Sequence, residues 1–291
     1  MNKYSIKICR VNDIHTTRFL ARCKIDFVGL HAIFGLPNKK QLIQFQKIIK
    51  ELQKYYPETK TVLVTRIINP RTLVDVYKKM PTDFVQWSAP ISKRDKEFFL
   101  SYVKKLRQNV NIFNVLSSSE SNMTYSYKDI VGKYVIIDKK FAGGTGTQTP
   151  KELLVELTKS LKGKYILLAG GMGRVNIRSW LGTIPVAGVD IMSSMEVSSN
   201  DKRKDLKKIA RYLKENRGET TLPILELPVK SDAFYTKVST LRGAIRAINK
   251  GSDRILVERS MTGQKLATKI KSLNPFAQVE IVTPSSQKFM R

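Results

Sequence analysis

YVIIDKKFAGGTGTQTPKELLVELTKSLKGKYILLAGG, residues 134–171, is the stretch whose reading decides the fold. It opens on Tyr134-Val135-Ile136-Ile137-Asp138, a short apolar and β-branched run of the kind that forms a strand buried on both faces. Gly143-Gly144-Thr145-Gly146 then interrupts any regular element. Over 150–161, Leu153, Leu154, Leu157 and Leu161 fall on one helical face. Residues 165–169 return to an apolar run and end on Ala169-Gly170-Gly171. Strand, glycine turn, helix and strand in that order form the crossover unit of a parallel sheet.

The same alternation extends to both sides. Strand-like runs fall at 5–11, 26–33, 61–67, 83–88, 111–116, 134–138, 165–169 and 188–192. Helix patterns separate and follow them at 13–23, 40–56, 70–80, 95–108, 127–131, 150–161, 175–181 and 202–216, the fifth being the shortest. Eight strand–helix units predict an α/β protein of the closed (β/α)8 TIM-barrel class over 1–216, not an open doubly wound sheet. Residues 217–291 read as a small α/β C-terminal extension, entered through Gly218-Glu219. Its expected order is strand 222–227, helix 234–249, strand 254–258, helix 263–273 and strand 278–282, with no role legible in it.

Composition narrows the function. The chain has 291 residues, 42% of them hydrophobic, enough for a large core, and no apolar run of membrane-spanning length. Its start lacks the apolar stretch of a secretory signal, so cytoplasmic residence is expected. The cysteines are Cys9 and Cys23 and the histidines His15 and His31, too few for a disulfide framework or a zinc site. No metal and no cofactor are expected. The formal charge of +28 suits a polyanion, so a nucleic-acid-associated protein is the competing reading from a different class. The lysines, however, are spread along helix patterns such as 202–214 and no basic tail stands out. The charge is therefore expected to steer anionic small substrates, with neither nucleic acid nor membrane as the principal partner.

In a closed parallel barrel, chemistry sits just after the strands. Gly143, Gly144 and Gly146 follow the sixth strand run, Gly170 and Gly171 the seventh, and Ser193 and Ser194 the eighth. Barrel phosphate sites form from the loops after the last strands, and glycine lets backbone N–H groups turn toward an anion. Cys9 ends the first run and Asp138 the sixth. An acid after Val135-Ile136-Ile137 either faces the barrel mouth or is buried at a cost. A thiolate and a carboxylic acid on near-opposite strands suit a base and an acid bracketing one substrate.

These segments resemble the phosphoribosylanthranilate isomerase family of tryptophan biosynthesis. The resemblance rests on Lys7-Ile8-Cys9, on Asp83-Phe84-Val85-Gln86, on Ile137-Asp138 followed by Gly143-Gly144-Thr145-Gly146, and on Leu168-Ala169-Gly170-Gly171-Met172. Pro185, Gly188-Val189-Asp190, Ser193, Glu196 and Lys202 continue it in order, so that it covers about 1–216. It implies Cys9 as general base and Asp138 as general acid in an Amadori rearrangement of N-(5'-phosphoribosyl)anthranilate, a phosphorylated sugar substrate, without a cofactor. It also implies phosphate binding by the glycines and serines named above. A cation near Cys9 would favour its thiolate.

The chain departs from the family pattern on one side. Arg10 stands where the family has glycine after the cysteine. Leu36-Pro37-Asn38 replaces the family's Ser-Pro-Arg, whose arginine holds the anthranilate carboxylate. Lys39 and Gln86 are the candidates here for the anthranilate side. Gln86-Trp87-Ser88-Ala89 and Met192-Ser193-Ser194 also differ from the family's motifs. A barrel that acts on another phosphoribosyl compound is the alternative these departures raise.

Overall fold

The computed structural model describes residues 4–106, 108–117, 127–138, 150–174 and 183–217, with 235–237, 254–258, 265, 267 and 278–282 beyond them. Two compact units divide the chain, Met1–Leu222 and Pro223–Arg291.

The first unit is a closed barrel in the order β1-β2-β3-β4-β5-β6-β7-β8. Its strands are β1 (Ser5–Ile8), β2 (Phe27–His31), β3 (Lys60–Thr65), β4 (Phe84–Trp87), β5 (Asn111–Ser117), β6 (Tyr134–Asp138), β7 (Tyr165–Leu168) and β8 (Gly188–Ile191). Every neighbouring pair is parallel, and β1 closes the ring on β8 with Ser5 opposite Gly188 and Lys7 opposite Asp190. The helices are α1 (Ile14–Arg22), α2 (Lys39–Tyr55), α3 (Pro70–Lys79), α4 (Lys93–Lys105), α5 (Lys151–Ser160) and α6 (Leu206–Arg217).

Local chemistry starts several of these helices. Asp13, Asn38, Asn69 and Ser92 each accept a backbone N–H of the first turn through a side-chain oxygen, as N-caps do. Pro70 then stands at the first turn of α3, where its missing N–H is not needed.

Side chains alternate across each strand, so every second residue enters the barrel. Near the N-terminal ends these are aromatic. Phe27 meets Phe84 and Phe113 edge-on at 5.2 and 5.3 Å, and Tyr134 meets Tyr165 at 5.3 Å. They fill the floor. Toward the C-terminal ends the inward apolar residues shrink to Val64, Val115 and Ala169. The barrel is thus packed below and hollow above, and the hollow lies at the end that carries the loops.

Two expectations are corrected. The helix expected at 127–131 is a single 3-10 turn, Tyr127–Asp129. Side chains take over its hydrogen bonding: Asn114 Nδ2 donates to the Val131 and Tyr134 carbonyls at 2.8 and 3.0 Å. The buried Lys96 Nζ donates to the Asp129 carbonyl at 2.8 Å and to Asn114 Oδ1 at 3.1 Å. Burial lowers the Lys96 pKa to about 8. In the second unit, residues 235–237 of the segment expected as a helix over 234–249 form a strand, and the rest of that segment lies outside the described residues. The unit's three-stranded parallel sheet runs β11-β10-β9, with β9 (Tyr235–Lys237), β10 (Arg254–Glu258) and β11 (Gln278–Val282). Tyr235 and Thr236 are aromatic and β-branched, which pairing with β10 favours over helix. The helix expected at 175–181 and the strand expected at 222–227 lie outside the described residues.

Candidate active site

The hollow at the C-terminal end is a cavity of about 270 Å³. Cys9, Gln86, Asp138, Gly170, Gly171, Ser193 and Ser194 all line it. Residues at the ends of β1, β4, β6, β7 and β8 therefore line one space. Gly143, Gly144 and Gly146 lie outside the described residues. Lys39 is not among the lining residues. It is exposed in the first turn of α2, because Asn38 Oδ1 accepts from the Gln41 N–H at 3.0 Å and so starts the helix there.

Cys9 follows β1 directly and is 3% exposed. Lys7 Nζ lies 2.6 Å from its Sγ and 2.8 Å from Asp190 Oδ2, and Lys7 is fully buried. The thiol in turn reaches Asp190 Oδ2 at 3.8 Å. Burial opposes the Lys7 charge, but Asp190 and Cys9 outweigh it and hold its pKa above the ordinary value. For Cys9, burial and the Asp190 carboxylate push the pKa up to about 12, against the pull of Lys7. The free site thus holds a thiol, with an ammonium beside it as counter-charge for the thiolate. The expected cation is present, and an unexpected carboxylate offsets it.

Room for the sulfur comes from β2. A Cβ on Gly29 would stand 2.7 Å from Cys9 Sγ and 3.4 Å from Val64 Cγ2. Asp138 is the last residue of β6, with Ile136 buried below it in the barrel core. Counting round the ring, β6 is nearly opposite β1, so Cys9 and Asp138 face one space from different walls.

The turn after β7 places Gly170 and Gly171 at φ 78° and 71°. Only glycine takes consecutive left-handed values without strain, and such turns direct successive N–H groups into a concavity. Ser193–Met195 forms a 3-10 turn after β8. Lys204 Nζ, buried, donates to the Met192 carbonyl at 2.9 Å and pairs with Glu196 at 3.4 Å, holding that turn.

Sequence reading left Lys7, Arg10, His31, Arg66 and Asp190 without roles, although all but Lys7 line the cavity. A signal for two of them was present: Lys7 and Asp190 are lone charges inside apolar strands, and charges so placed need a partner. Among the described residues, His31, Gln86 and Asp190 each leave a buried polar atom without a hydrogen bond, namely Nε2, Oε1 and Oδ1. Among the described residues, no three His, Cys, Asp or Glu side chains group as metal ligands do. Nor is any described helix long and apolar enough to cross a membrane.

A closed parallel barrel with a thiol, a carboxyl and a glycine turn around one cavity at its C-terminal face is an enzyme of the (β/α)8 class. Comparison with known proteins refines this. Residues 31–215 match the family described as N-(5'phosphoribosyl)anthranilate (PRA) isomerase. A protein of Leptospira interrogans serogroup Icterohaemorrhagiae serovar copenhageni, named N-(5'-phosphoribosyl)anthranilate isomerase, is 24% identical over 216 residues, spanning 74% of this chain and 95% of that protein. The crystal structure of phosphoribosyl anthranilate isomerase from Thermotoga maritima superposes with a TM-score of 0.59 at 19% identity, over 74% of this chain and all of that one. A second structure of such an enzyme, in complex with reduced 1-(o-carboxyphenylamino)-1-deoxyribulose 5-phosphate, gives 0.57 at 17% identity, over 74% and 100% of the two chains. The chain belongs to the N-(5'-phosphoribosyl)anthranilate isomerase family.

Proposed function

We propose that this chain catalyses the Amadori rearrangement of N-(5'-phosphoribosyl)anthranilate to 1-(2-carboxyphenylamino)-1-deoxyribulose 5-phosphate, a cytoplasmic step of tryptophan biosynthesis. One observation carries the reading: Cys9 and Asp138, from nearly opposite strands, line the same cavity.

Asp138, as the acid, protonates the ring oxygen of the furanose. The C1'–O bond breaks while the nitrogen lone pair forms the C1'=N bond of a protonated Schiff base. Cys9, as the thiolate, takes the C2' proton, and the electron pair returns toward nitrogen to leave an enolamine. Tautomerisation adds a proton at C1' and removes one from the 2'-hydroxyl, giving the ketone. The count closes: the ring oxygen and C1' each gain a proton, and C2' and its hydroxyl each lose one. Lys7, 2.6 Å from the sulfur, is the counter-ion of the working thiolate. The phosphate is held by the backbone around Gly170-Gly171 and by Ser193 and Ser194. The family resemblance adds Gly143, Gly144 and Gly146 to the phosphate-binding residues. The charge of +28 favours encounter with an anionic substrate.

The test is loss of substrate fluorescence with purified full-length protein. Wild type is expected to consume the compound. Cys9→Ser and Asp138→Asn are each expected to lower kcat at least ~10²-fold, the low end for a positioned base or acid. No consumption by wild type, or near-normal turnover by either variant, defeats the reading.

A further inference from the structure

The carboxylate of the aromatic half has no obvious receptor at the position where the family keeps an arginine. Asn38 is spent as a helix cap and Lys39 is exposed outside the cavity. Two other arginines do line the cavity: Arg10, just after β1, and Arg66, just after β3. The strand between them is β2, and its last residue, His31, lines the cavity as well. Counting round the ring, Arg66 after β3 stands across the barrel from the glycine turn after β7, whereas Arg10 follows β1, the neighbour of β8.

Arg10 sits at φ 59°, a left-handed value that glycine accepts freely and other side chains resist. Here, then, the chain holds an arginine in a backbone conformation suited to glycine. Its Nη1 donates to Glu196 Oε1 at 3.1 Å; among the described residues, its Nε and Nη2 make no hydrogen bond. Glu196 is shared with Lys202 at 3.6 Å and Lys204 at 3.4 Å, so its single charge does not neutralise Arg10. The Arg66 backbone N–H donates to the Ile33 carbonyl at 2.7 Å, tying the chain after β3 to the chain after β2. His31 keeps a buried Nε2 that makes no hydrogen bond among the described residues. Burial, then Lys7, Arg10, Lys204 and Arg66, lower its pKa to about 3, so it stays neutral and does not compete for an anion as a charge. Phe34 and Ile68, in the same two loops, expose large apolar surfaces.

We propose that Arg10 and Arg66, with His31 between them, form the subsite that binds the aromatic carboxylate of the substrate. Guanidinium groups match a carboxylate in geometry and charge, as an asparagine does not. The subsite has moved from the end of the β2 loop to the ends of β1 and β3. It rests on the proposed reaction for the identity of its ligand.

The experiment compares full-length wild type with Arg10→Gly, Arg66→Met and Arg10→Lys. Two substrates are used, N-(5'-phosphoribosyl)anthranilate and the phosphoribosylaniline that lacks the carboxylate; anthranilate alone is titrated by calorimetry. Glycine at position 10 suits the left-handed backbone, so that variant keeps its fold. The kcat/KM preference for the carboxylated substrate is expected to fall about 10- to 100-fold in Arg10→Gly and Arg66→Met, mainly through KM, as expected for lost hydrogen bonds to a charged group. Arg10→Lys is expected to restore part of it, and anthranilate affinity to fall in parallel. An unchanged preference, or an equal loss on both substrates, overturns the subsite. If wild type turns over neither compound, the proposed reaction fails and the titration decides the subsite alone. Anthranilate binding that is lost in the variants upholds it; binding that is absent or unaffected overturns it.

Discussion

Replacing Lys7 by Met asks whether the buried charge pair under the cavity exists to hold Cys9. Lys7 is fully buried, 2.8 Å from Asp190, whose other oxygen makes no hydrogen bond among the described residues. Removing the ammonium leaves a buried carboxylate unpaired, a loss of about 3–5 kcal/mol. For a unit of the size of Met1–Leu222, at ~2–4 °C per kcal/mol, the melting temperature is expected to drop by ~6–20 °C. Asp190→Asn strands the opposite charge and is also destabilising. The double variant removes both charges, so stability is expected to recover, with a coupling of at least ~1 kcal/mol. Activity follows a different course. The ammonium is 2.6 Å from Cys9 Sγ, where Coulomb's law at an effective dielectric of ~20 bounds the attraction at about 6 kcal/mol. Realising half of that bound gives ~10²-fold in rate. Lys7→Met and the double variant should therefore both lose at least ~10²-fold in kcat/KM, although only the first is unstable. Thermal melts and steady-state kinetics on the four proteins decide it. Additive destabilisation, or turnover in the double variant within ~3-fold of wild type, refutes the reasoning.

Because burial and Asp190 raise the Cys9 pKa to about 12, the thiol is protonated at neutral pH and the thiolate fraction grows with pH. Alkylation of Cys9 by iodoacetamide in ligand-free protein should accelerate about tenfold per pH unit from ~pH 7 to ~pH 10. A plateau below ~pH 9, followed by mass spectrometry, contradicts the assignment. Gly29→Ala places a methyl group 2.7 Å from Cys9 Sγ. Overpacking of this kind costs about 1–3 kcal/mol and a displaced sulfur up to ~10²-fold in kcat, and an unaffected kcat removes Gly29 from the site. The barrel closes entirely within Met1–Leu222, and we propose that it folds without the extension. A chain cut after Leu222 should then melt cooperatively, and a truncation without a melting transition argues the opposite.

Much of the barrel was legible because its determinants are local. Apolar runs of strand length, leucines at helical spacing, and Asp13, Asn38, Asn69 and Ser92 as caps act within a few residues of where they stand. Alternation along a strand likewise made Cys9 and Asp138 recognisable as strand-end groups. The 3-10 turn Tyr127–Asp129 was not legible, since Asn114 and Lys96 reach it from other elements. The same is true of the site's charges. Lys7 meets Asp190, and Arg10 meets Glu196, only because barrel closure sets β1 against β8 in one register. These partners lie 183 and 186 residues apart, beyond the reach of any local pattern. Sequence periodicity determines which side chains enter the barrel. Which of them share a low-dielectric cavity, and so set one another's charge, is decided when the ring closes and water leaves.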